Sequence, residues 1–138
     1  MNNIKTIEGG VTAAKGFKAA AVQAGIKNNI KKDMAMIYSE KPCVTAGTFT
    51  LNKVFAAPVK WDKNVVNNSA FSQAVVINSG IANACTGNDG DNACKKEAET
   101  VSKLLSIPED SVLLGSTGVI GMQLPMDRIR DGVALLAE

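Results

Sequence analysis

Three observations predict an α/β fold, a mixed β-sheet with covering helices. Two short apolar runs, Ala74 to Ile77 and Val112 to Leu114, each lead into a loop of glycine and small polar residues. Between them apolar residues recur at helical spacing, so strand, loop, helix and strand follow one another as in a parallel crossover. Upstream, short apolar segments separated by turn-like clusters read as an antiparallel meander. A chain of 138 residues holds one sizeable core and not two, so a single domain, residues 1–138, is expected.

Residues 9–26 open on a Gly9-Gly10 turn and run into Phe17 to Val22. Alanine favours helix, but Gly16 and Gly25 bracket a segment too short for one, and a strand is predicted. The cluster 27–32, KNNIKK, reads as a hairpin tip, a solvated turn more than a binding patch. Met34 to Tyr38 and Cys43 to Phe49 are predicted strands, the second interrupted by Gly47. Pro58 bars a long helix through Ala57, so residues 50–72 are read as a short strand or turn near Val54 and a polar, Asn-rich connection before Gln73. Trp61, beside Asp62, is expected at the edge of the core, with a partner surface as the alternative.

Four continuous apolar residues, Ala74 to Ile77, predict a strand buried on both faces, followed by a loop from Asn78 to Gly87. Asp91 is the expected N-cap of a helix reaching Leu105, with Cys94, Ala98, Val101 and Leu105 inward and Lys95, Lys96, Glu97 and Glu99 toward water. The acidic run 88–92, NDGDN, is read as the loop leading into it; the position an EF-hand would fill with Glu holds Thr100. Pro108 turns the chain into the strand at Val112, and a last helix is predicted from Pro125 or Asp127 with Ile129, Val133 and Leu136 buried. If the two apolar strands lie parallel and adjacent, the loops Asn78 to Gly87 and Ser116 to Gly121 line one cleft at the sheet edge.

Composition excludes several classes. Histidine is absent, which removes Ser-His-Asp and Cys-His machinery and histidine-based zinc sites from within the chain. Aromatic residues make up only 4%, too few for a stacking groove, and no nucleic-acid partner is expected. The net charge of +2 selects no partner class. Cys43, Cys85 and Cys94 form no CxxC pair, and their odd number argues against a disulfide framework and for a reducing, cytoplasmic compartment. No signal peptide and no membrane span is predicted.

The stretch that organises these readings is 111–121, SVLLGSTGVIG, read as a strand feeding an exposed elbow with glycine at 115, 118 and 121. Glycines there let consecutive N–H groups point outward as a nest for an anion. Acyl transfer needs donors aimed at the oxygen that gains charge, and the hydroxyl of Thr117 with the N–H of Gly118 supply them. Two plainer readings stand beside this one: glycines that serve only the turn, and a small phosphate- or nucleotide-binding module. The glycine spacing does not fit G-x-G-x-x-G, and no P-loop motif occurs. Cys85 has no neighbour that would activate it as a nucleophile.

Three motifs in order, GVTAAKGFKAA, VINSGIANACTG and LLGSTGVIGMQLPMDRI, resemble the N-terminal half of the ornithine acetyltransferase family, the bifunctional glutamate N-acetyltransferases of arginine biosynthesis. The resemblance implies the N-terminal part of a fold similar to that of self-processing N-terminal-nucleophile enzymes. It implies a precursor that cleaves itself before a threonine, which then carries acetyl from N2-acetyl-L-ornithine to L-glutamate by a ping-pong route; some members also accept acetyl-CoA. It assigns Thr117 and Gly118 to the oxyanion hole, needs no metal or other cofactor, and makes the partner a β chain in an α2β2 heterotetramer. This chain departs from the family at Ile81, where Asn is commoner. The nucleophile, its cleavage segment and the later substrate contacts match nothing here, so this chain is expected to be part of a longer enzyme and inactive alone.

Overall fold

The structure, a computed structural model, describes residues 5–27 and 30–138. Its regular elements are β1 (Phe17–Val22), β2 (Met34–Cys43), α1 (Ala57–Asn68), β3 (Ser72–Ile81), α2 (Gly87–Leu105), β4 (Val112–Val119) and α3 (Met126–Leu136). The four strands form one mixed sheet in the order β1-β2-β3-β4. The first two pairings are antiparallel and the third, β3 with β4, is parallel through the α2 crossover. A mixed sheet with covering helices is therefore what forms, and the loops after β3 and β4 do leave the sheet at one edge.

One sheet face carries the core. Met34 and Met36 of β2, Ala74 and Val76 of β3, and Val112 and Leu114 of β4 point to it at every second residue. They meet Cys94, Ala98 and Val101 of α2 and Ile129, Val133 and Leu136 of α3, whose spacing turns a single apolar stripe to the sheet. Burying each Val, Leu or Ile side chain this way stabilises the fold by about 1.5–3 kcal/mol before entropy is counted. The opposite face has no covering layer among the described residues: Val75 is half-buried and Ile77 is 39% exposed. The prediction of a strand buried on both faces is thus corrected. Four apolar residues in a row mark a strand whose two faces are both destined for cover, and this chain supplies cover for one.

Several other expectations change. β2 runs on to Cys43, and the rest of the separate strand predicted from Cys43 to Phe49 has no regular structure. The third strand of the antiparallel meander is β3 instead. The polar connection before Gln73 is largely helix α1, with Pro58 in its first turn, where a missing N–H costs nothing. The helix predicted from Asp91 begins at Gly87 after Thr86, so the acidic run 88–92 forms its first two turns and not a loop. Glu97, expected toward water, is buried at 4% exposure. The hairpin tip 27–32 falls partly on residues 28 and 29, outside the described residues; beside it, Asp33 accepts the N–H groups of Ala24 and Lys27 and ties the turn down. Burial is the largest single influence and raises its carboxyl, but backbone hydrogen bonds from Lys27, Ala24, Ile26 and its own N–H together hold it below the usual range.

Candidate functional site

The glycine-rich stretch is not an elbow. Gly115, Ser116, Thr117 and Gly118 continue β4 and pair in register with Ile77, Asn78, Ser79 and Gly80 of β3, and the chain bends only at residues 120–122. Consecutive N–H groups in a strand alternate in direction, so the nest expected for an anion does not form there. The reason lies across the ladder. Gly118 takes a φ of 136°, and a Cβ on it would lie 2.3 Å from the carbonyl carbon and oxygen of Gly80. Two facing glycines let the strands pair closely where larger residues would end the sheet.

What β4 offers is a free edge. Its first half is covered by α1: Trp61 Nε1 donates to the carbonyl of Val112 at 2.8 Å, and Asp62 Oδ1 accepts the N–H of Leu114 at 2.9 Å. Both main-chain groups point away from β3. By the alternation of a strand, the N–H groups of Ser116 and Gly118 point the same way, beyond the last bond that α1 makes to the edge. Side chains alternate too. Val112, Leu114 and Ser116 face the helices, which places the Thr117 side chain on the uncovered face. Thr117 and Gly118 are both exposed, and the Thr117 hydroxyl has no hydrogen-bond partner among the described residues.

The loop after β3 is bound to the same strand. Ser116 Oγ accepts the N–H of Asn83 at 2.8 Å and donates to the carbonyl of Ile81 at 3.2 Å. Asn83, 1% exposed, donates through Nδ2 to the Gly90 carbonyl at 2.9 Å and to Cys94 Sγ at 3.3 Å, and its Oδ1 accepts the Thr86 hydroxyl at 2.6 Å. Its own carbonyl accepts the N–H of Ala57, the first residue of α1. Further along, Ala82 N–H reaches the Val119 carbonyl and Gly121 N–H the Ala84 carbonyl. The cleft predicted between the loops is therefore largely closed by their mutual hydrogen bonds, and the accessible donors lie on the outer side of β4.

Asp62 and Asn83 are the residues that sequence reasoning left without a role here. Proline in a first helical turn is the local signal that could have placed α1 and, with it, Asp62. Burial raises the Asp62 carboxyl to about 6, opposed by the Leu114 N–H. Cys94 is core, as expected, with its thiol pushed up to about 12, first by burial and then by nearby carboxylates. Cys85 is exposed and stands in left-handed backbone at φ 56° just before α2. Trp61 packs against the core, as expected. No group of three or more Cys, Asp or Glu among the described residues is arranged to hold a metal ion.

Comparison with known proteins gives this arrangement a family. The ArgJ family model matches residues 18–138. The arginine biosynthesis bifunctional protein ArgJ of Gloeobacter violaceus is 44% identical over 138 residues, all of this chain and 34% of that protein. ArgJ 1 of Clostridium acetobutylicum is 48% identical over 135 residues, 96% of this chain and 33% of its own length. The chain thus spans about a third of the length of the curated relatives it matches. Among solved structures, the bifunctional protein argJ of Bacillus halodurans superposes with a TM-score of 0.88 at 41% identity, over 94% of this chain and 69% of that one. The ornithine acetyltransferase of Mycobacterium tuberculosis, solved in complex with ornithine, does so with a TM-score of 0.88 at 44% identity, over 92% and 68%. The family model and these relatives match nearly the whole length of the chain, and this chain belongs to the ArgJ family.

Proposed function

We propose that this chain is the N-terminal portion of a glutamate N-acetyltransferase and that Thr117 Oγ1 and Gly118 N–H form its oxyanion hole. A threonine outside the chain, freed by self-cleavage at the start of a β segment, attacks the acetyl carbonyl of N2-acetyl-L-ornithine. The carbonyl oxygen turns negative toward the two donors, the C–N bond breaks, and ornithine leaves with a proton on its amine. Acetyl remains as an ester on the threonine until the α-amine of L-glutamate takes it, releasing the hydroxyl; acetyl-CoA is an alternative donor for the first half. The threonine needs no histidine, since an amine can act as its base.

One observation carries the assignment: an unpartnered Thr117 hydroxyl stands next to an outward Gly118 N–H on the stretch of β4 edge past the bonds from α1. The β segment is proposed to cover the open sheet face and the exposed Val119, Ile120 and Met122 beside the site, in an assembly with two copies of each part. Cys43, Cys85 and Cys94 are all unbridged, in keeping with a cytoplasmic enzyme, and no helix among the described residues is long and apolar enough to cross a membrane.

The test is Thr117→Ala in the assembled enzyme. Removing one oxyanion donor costs about a hundredfold or more in kcat, while Thr117→Ser, which keeps the hydroxyl, retains most of the activity. Full acetyl transfer from acetylornithine to glutamate by Thr117→Ala would overturn the assignment.

A further inference from the structure

We infer that Ser116 is a positioning residue for the oxyanion donors, acting as the latch between β4 and the buried Asn83 hub; this rests on the reading of Thr117 and Gly118 given above. Ser116 is the residue immediately before the pair, and its hydroxyl is used on both sides, accepting from Asn83 N–H and donating to the Ile81 carbonyl. That single oxygen fixes the backbone of β4 one residue upstream of the peptide unit whose N–H is the Gly118 donor. The other end of the latch does not give. Asn83 is held by Thr86, Gly90 and Cys94 through its side chain and by Ala57 through its carbonyl.

The hub is also moulded around a missing side chain. A Cβ on Gly90 would stand 2.0 Å from Thr86 Oγ1 and 2.5 Å from Asn83 Oδ1, so these groups close over α2 only because residue 90 is glycine. Rigid support matters because β4 is an edge strand with α1 bonded to it only as far as Leu114. Past that residue, the hydroxyl of Ser116, the close Gly80–Gly118 contact and the Ala82 bond to Val119 hold the site strand in place. Oxyanion donors work by being aimed beforehand, and a shift of about 1 Å can cost a hundredfold in rate. The Ser116 hydroxyl is taken up by the Asn83 N–H and the Ile81 carbonyl, so its effect on the reaction passes through Thr117 and Gly118.

The experiment is a double-mutant cycle in the complete enzyme, comprising Ser116→Ala, Thr117→Ala, the double variant, and Ser116→Thr. kcat is normalised to the acetyl-enzyme burst, which counts correctly folded sites. Ser116→Ala is expected to lower kcat about tenfold with KM for acetylornithine changed less than twofold, and Ser116→Thr, with its hydroxyl kept, to recover most of the loss. In the Thr117→Ala background, where only the Gly118 N–H is left to aim, Ser116→Ala should cost less than it does with Thr117 present. A Ser116→Ala enzyme with normal kcat per burst site, or with the same loss whether or not Thr117 is present, overturns the latch while leaving the oxyanion assignment intact. Full activity of Thr117→Ala overturns the assignment itself and the latch with it.

Discussion

At the scale of single residues, the facing glycines set the tightest constraint. Gly118→Ala would place a methyl group 2.3 Å from the Gly80 main chain at a φ that L residues rarely adopt. The expected result is a loss of about 3 kcal/mol or more in stability, seen as a lower Tm, and no soluble protein if the margin is small. Glu97 makes a second prediction. Its carboxyl is buried, Oε1 has no hydrogen-bond partner, and burial raises it to about 8. The folded state therefore keeps a proton that the unfolded chain releases near the ordinary carboxylate range, so stability falls as pH rises from about 4.5 to about 8. Glu97→Gln should raise Tm at pH 8.5 and change it little at pH 4, as thermal melts at the two values will show.

At the scale of elements, α1 works as an edge cover. An exposed strand edge invites pairing with other chains, and Trp61 and Asp62 occupy the first half of β4 so that only its second half stays open. Asp62→Ala leaves the Leu114 N–H without its acceptor and should cost about 1–3 kcal/mol. Asp62→Asn keeps an acceptor oxygen and removes the charge. Because burial holds the Asp62 carboxyl at about 6, stability contributed at this position is greatest below the ordinary aspartate pKa and is lost as pH rises through 6. Asp62→Asn should flatten that part of the curve of Tm against pH, whereas an unchanged slope would show that Asp62 does not titrate there. The surface pair of Lys60 and Asp91 between α1 and α2 is mostly solvated, and Asp91→Asn should move Tm by little.

At the scale of the whole molecule, the chain is asymmetric. One sheet face is dry beneath α2 and α3, and the other presents Ile37, Val75, Ile77 and Leu113 without a covering layer among the described residues. Expressed by itself, the 14.4 kDa chain is expected to associate with itself or to bind a hydrophobic dye, and to lose the dye binding when joined by the proposed β segment. Size-exclusion chromatography with and without that part checks this. A clean monomer that binds no dye would mean that the open face tolerates water and would count against the proposed β segment as its cover.

Much of the fold was legible because periodicity is a local property. The stripe Cys94, Ala98, Val101 placed α2, the stripe Ile129, Val133, Leu136 placed α3, and the two apolar runs placed the parallel strands, each needing only the burial of one face or both. The three motifs carried the family, and the positions of Thr117 and Gly118 were named from them. What local pattern could not decide was every outcome that depends on a neighbour distant in sequence. Gly115 to Gly118 became strand and not elbow because Gly80 lies opposite, and that α1 lies along the first half of the β4 edge was likewise no local matter. Glu97 went inside because α3 closed over that side of α2. A sequence states which surfaces are apolar and where a backbone is free to turn. Whether a glycine strand pairs, an edge stays open or a carboxyl loses its water is settled only when the elements pack, since each is a matter of distance between residues far apart along the chain.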